Sequence, residues 1–70
     1  MNADEMFEKL EYKKMITTQD SYLECGYIGE NHNRIFFTKN KTLNGKLCED
    51  LTIQELQAIN KKVEEMGWNE

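Results

Sequence analysis

The sequence predicts a small α+β fold of order α-β-β-β(-β)-α, a short antiparallel sheet with the two terminal helices packed on one face. Three observations predict it. Apolar residues recur at helical spacing near both ends, at Ala3, Met6, Phe7 and Leu10 and again at Ile53, Leu56, Ile59, Val63 and Met66. Between them lie short runs rich in aromatic and β-branched residues, separated by polar turn residues. Each helical stripe needs an apolar surface to cover, and one face of a sheet serves both.

Helix 1 is expected over residues 3–12. Asn2 can cap its free N–H groups, and Glu5 three residues on completes a capping box. Lys13 and Lys14 suit the negative end of the helix. A first strand is expected over residues 14–17, with Gln19, Asp20 and Ser21 as its turn. Residues 22–28 alternate, with Leu23, Cys25 and Tyr27 on one face and Glu24 on the other. Residues 29–33 read as a polar turn, and residues 34–38 as a strand carrying Ile35, Phe36 and Phe37. Lys39, Asn40 and Lys41 read as the next turn and residues 42–48 as a last strand. Asn44-Gly45 is also a strong hairpin signal. Either the chain turns there or Gly45 marks a bulge, and the turn is placed near Asn40.

Helix 2 is expected over residues 52–66. Thr52 and Glu55 form a capping box, and Leu51 with Leu56 occupies the positions of a hydrophobic staple. Ile53, Leu56, Ile59, Val63 and Met66 make the expected buried stripe. Gly67 supplies the left-handed residue that ends a helix, with Trp68 packing back on Val63.

Residues 1–70 read as one domain, 39% apolar and 31% charged with a net charge of −4. A chain this short buries only about 60% of its unfolded surface, and its stability should be about 3–5 kcal/mol. So small a core favours a shallow binding surface over a deep substrate pocket. The acidic balance argues against direct binding of nucleic acid, which depends on Lys and Arg. No run resembles a signal peptide or approaches about 18 apolar residues. The expected setting is therefore the cytoplasm, away from any membrane, with Cys25 and Cys48 as free thiols.

Few residues invite chemistry. His32 is the single histidine, and neither cysteine shares with it the close spacing of a structural zinc site. No metal, cofactor or enzyme activity is expected. Asp4, Glu8 and Glu11 fall on one flank of helix 1 by spacing. They form either an ordinary solvated face or an acidic rim for a basic partner. Among the large rings, Phe36 cannot point the same way as Ile35 and Phe37. One side of that triplet is then either covered by a loop or used for contact. Phe36, Tyr22 and Trp68 are the candidate anchors of a partner surface.

The segment Met1-Asn2-Ala3-Asp4-Glu5-Met6-Phe7-Glu8-Lys9-Leu10, with Tyr12-Lys13-Lys14 after it, resembles the start of small uncharacterised proteins encoded by phages and prophages of Gram-positive, low-GC bacteria. The segment from Leu51 to Trp68 is similar to their ends. Those proteins often have glycine where this chain has Glu11, so helix 1 is expected to end differently here. The matching residues are cap and core positions. The resemblance therefore implies a shared fold and an accessory role in bacterial cytoplasm, and it implies no activity. Two expectations follow: a non-catalytic module that docks on an unknown host or phage protein, for example as an inhibitor of a host factor or defence nuclease, or a self-associating structural protein, a homodimer through the open sheet face.

Overall fold

The computed structural model describes residues 1–15 and 22–68. Two helices enclose four strands in the chain: α1 (Ala3–Lys9), β1 (Tyr12–Met15), β2 (Leu23–Gly29), β3 (Arg34–Thr38), β4 (Leu43–Lys46) and α2 (Ile53–Glu65). The strands form one antiparallel sheet in the order β1-β2-β3-β4. The expected turn at residues 19–21 and the end of the first strand lie outside the described residues.

Both helices start as their sequences dictate. Asn2 accepts from the Glu5 N–H at 2.8 Å while Glu5 accepts from the Asn2 N–H at 3.0 Å. Thr52 and Glu55 repeat the reciprocal pair at 3.1 and 2.8 Å. The end of α2 is a Schellman motif: Gly67 has φ 72, its N–H reaches the Glu64 carbonyl, and the Trp68 N–H reaches the Val63 carbonyl. Helix α1 is shorter than expected, ending at Lys9. Glu11 turns the chain into β1 with φ 66, a left-handed conformation that glycine adopts without strain.

The register sorts the two faces of the sheet. Lys14, Tyr27, Ile35 and Gly45 form one row across the strands, and Cys25, Phe37 and Leu43 the next. These rows face the helices. Phe7 stacks on Tyr27 with ring centroids 3.9 Å apart, Tyr12 meets Phe7 edge-on, and Ala58 and Ile59 of α2 complete the core with Ile35 and Phe37. The helices thus share one face, and among the described residues no helix covers the other. A bulge between Leu23 and Cys25 interrupts the alternation of β2.

Polar residues join what the core does not. The Ala3 N–H donates to Glu65 Oε2 at 2.8 Å, tying the start of α1 to the end of α2. Asn33, expected in a polar turn, is fully buried: its Oδ1 accepts from the Cys48 and Glu49 N–H groups at 2.7 and 2.9 Å, and its Nδ2 donates to the Glu49 carbonyl at 3.1 Å. This one side chain holds the segment between β4 and α2. Thr38 likewise closes the β3–β4 turn through Thr42 and Asn40. The chain turns at residues 39–42, and Gly45 stays inside β4 opposite Ile35.

The expected stripe of α2 holds at Ile59, Val63 and Met66 but needs correction in the first turn. Ile53 is 67% and Leu56 45% exposed, and the residues buried on α2 are Glu55, Ala58 and Ile59. The helix is rotated about its axis relative to its most apolar stripe. On the inward side Glu55 accepts a hydrogen bond from the buried Tyr12 hydroxyl. Bringing Glu55 inward turns Ile53 and Leu56 outward.

Candidate functional site

The residues expected to form a partner surface do not assemble into one. Phe36 is half-buried on the open face, where its ring lies so close over Gly26 that a Cβ there would sit 2.5 Å from it. Trp68 lies on the other side of the sheet, half-buried and edge-on to Phe37 at 5.9 Å. Tyr22 is exposed just before β2. Asp4 belongs to the scaffold: it accepts from the Tyr27 hydroxyl at 2.5 Å and the Lys14 ammonium at 3.2 Å, with Lys62 at 4.0 Å. Hydrogen bonding from Tyr27 holds its carboxyl below the usual 3.8, against the opposing effect of burial. Glu8 is exposed on α1, whereas Glu11 lies past its end.

Asp4, Glu8, Tyr12, Lys13, Lys14 and Tyr27 line a depression of about 470 Å³. Its two phenols are committed as donors, Tyr27 to Asp4 and Tyr12 to Glu55. Burial first, and those carboxylate bonds second, push both hydroxyls above the ordinary 10. They are held protonated, so neither is available as a base near neutral pH. Cys25 is buried, which raises its thiol pKa, and Cys48 is exposed. Among the described residues no group of His, Cys, Asp or Glu is placed to hold a metal, and no helix is long and apolar enough to cross a membrane.

A further group of exposed apolar side chains lies elsewhere among the described residues. Leu43, Leu47, Leu51, Ile53 and Leu56 are between 38% and 67% exposed. Leu43 and Leu47 flank Gly45, and with Leu51 they line a groove of about 290 Å³ floored by Ile35 and Ile59. Ile53 and Leu56, one helical turn apart on α2, are exposed as well and lie outside the lining of this groove. Gly45 is essential to this shape. At φ 145 its missing Cβ would stand 2.0 Å from the Arg34 carbonyl oxygen, so only glycine lets β4 lie this close to β3.

The open face carries a second feature. The register sets Lys13, Ile28, Arg34 and Lys46 in one row and Met15, Gly26, Phe36 and Asn44 in the next. Three cations far apart in sequence therefore line up, and none of them enters an ion pair among the described residues. Arg34 and Lys46 stand directly opposite each other, an arrangement that costs sheet stability.

No family model, curated protein or solved structure matches the chain. The exposed aliphatic group was partly legible in sequence, because Leu43, Gly45 and Leu47 alternate within the expected last strand. Its α2 members were hidden, since Ile53 and Leu56 carry the pattern of core positions.

Proposed function

We propose that the chain is a non-catalytic phage or prophage accessory protein that works in the cytoplasm of its bacterial host by docking on another protein. The observation that carries this reading is a groove bordered by the exposed side chains of Leu43, Leu47 and Leu51, with Ile53 and Leu56 exposed as well on α2. A domain with a small core gains stability from each apolar side chain it buries, about 25 cal/mol per Å². Large apolar side chains kept in water around a groove are a feature that interfaces use. The origin rests on the resemblance of the two ends of the chain. An inhibitor of a host factor or defence nuclease is one role such docking would serve.

Photo-crosslinking tests the reading. Benzoylphenylalanine replaces Leu47, Ile53 or, as a control on α1, Glu8, and each variant is expressed in a Gram-positive, low-GC host during phage infection. The expected result is one common adduct at positions 47 and 53 and none at 8. Adducts at position 8 alone, or at none of the three, would refute docking through this surface.

A further inference from the structure

We propose that the partner's contact segment is an extended strand, with alternating apolar and acidic side chains, that adds to the free edge of β4. This rests on the docking reading above and names the form of the partner. β4 ends the strand order, and all four of its residues are exposed. Backbone groups that point away from β3 have no strand partner among the described residues. The Gly45 N–H is already taken by Asn44 Oδ1 at 2.7 Å, so the new ladder rests on the other groups of β4. Such an edge is a template for strand addition unless charge, proline or a covering element blunts it. The opposite edge, β1, carries Lys13 and Lys14, whereas β4 carries Lys46 alone.

The groove sits where an added strand would use it. Side chains of a strand alternate between the two faces of the sheet. Beside β4, every second side chain of an incoming strand projects over the helix-covered face, where Leu43, Leu47 and Leu51 border the groove. Those side chains are apolar. The intervening ones project over the open face, next to the row that ends in Lys46 and Arg34. An acidic residue opposite Lys46 forms an opposite-charge cross-strand pair and offsets its repulsion with Arg34, and a polar one sits beside Asn44. Main-chain bonds supply affinity in this mode of recognition and the alternate side chains supply specificity.

Other occupants fit less well. A helix laid in the groove would pair none of the backbone groups at the free edge of β4. The β4 of a second copy, Leu-Asn-Gly-Lys, has no acid to meet Lys46.

The experiment is selection of displayed random 12-residue peptides on the intact protein. The three best are then synthesised and titrated by fluorescence anisotropy. The expected peptides lack proline and alternate apolar with acidic residues. Methylation of single backbone nitrogens should weaken binding at least tenfold at alternate positions only, and Leu47→Asp should weaken it at least tenfold. A far-UV spectrum and thermal melt confirm that Leu47→Asp is folded, and Leu43→Ser serves as a second variant. Peptides lost with Leu47→Asp but with apolar residues three and four apart, or indifferent to N-methylation, overturn strand addition and leave docking at the groove intact. Peptides that bind Leu47→Asp and Leu43→Ser as well as the parent, or the absence of any binder below 1 mM (on the order of −4 kcal/mol), overturn both. A concentration-dependent dimer abolished by Leu47→Asp assigns the edge to a second copy and overturns the partner strand.

Discussion

The Tyr12 hydroxyl donates to the carboxylate of Glu55 across 43 positions of sequence, in the buried interior where β1 meets α2. Burial pushes the Glu55 carboxyl up, but the Tyr12 hydroxyl and the Thr52 N–H bind its charged form, and the result lies below the ordinary 4.5. One carboxylate therefore caps its own helix and anchors it to the sheet.

Tyr12→Phe should cost about 1–3 kcal/mol at pH 7, because it leaves a buried charge short of a donor. The pH dependence has a definite sign. Glu55 and Asp4 titrate lower in the folded chain than in the unfolded one, so their contribution is present above about pH 4.5 and is lost as pH falls through the folded values. Tyr12 and Tyr27 titrate higher when folded, so theirs is complete below pH 10 and is lost above it. Urea unfolding from pH 3 to 11 should give a plateau with both limbs falling. The Tyr12→Phe deficit should shrink as pH falls from 4.5 through the lowered Glu55 value. A deficit that does not shrink with acidification would show that the Glu55 charge is not involved.

Asn33→Ala should be among the most damaging polar substitutions. It strips partners from the Cys48 and Glu49 N–H groups and the Glu49 carbonyl together. About 2–3 kcal/mol is expected, since each orphaned group carries a desolvation penalty. Amide exchange should rise at Cys48 and Glu49 first. Unchanged exchange there would mean that the clamp is redundant.

Gly45→Ala should destabilise more than Gly67→Ala. Both glycines have positive φ, but a Cβ at Gly67 meets nothing within 4 Å, whereas at Gly45 it meets backbone at 2.0 Å. About 1 kcal/mol is expected at Gly67 from conformation alone, and about 3 kcal/mol or more at Gly45, where β4 must move. Thermal melts that rank the two in the opposite order would contradict the placement of β4.

Ile59→Ala should cost about 2–5 kcal/mol, as for a buried branched side chain. Leu56→Ala should cost under about 1 kcal/mol, because Leu56 is half exposed. Equal losses in urea melts would restore Leu56 to the core and remove it from the exposed group.

What the sequence by itself determined is local. The caps at Asn2 and Thr52, the helix end at Gly67, the bounds of β3 and the turn after it follow from residues within a few positions of one another, whose hydrogen bonds close within a single turn. Alternation likewise paired Cys25 with Tyr27 and Ile35 with Phe37, each on one face of its own strand, while a bulge separates Leu23, expected with the first pair, from Cys25. The tertiary structure decided whatever depends on partners distant in the chain. Periodicity gave α2 one apolar stripe, which included Ile53 and Leu56. Only a hydroxyl from β1 made it favourable to bury Glu55 instead. The register, a property of strand pairs, aligned Lys13, Arg34 and Lys46 across the open face. The orientation of α2 with Glu55 inward leaves Ile53 and Leu56 in water, and the close approach of β4 at Gly45 sets the groove beside a free sheet edge.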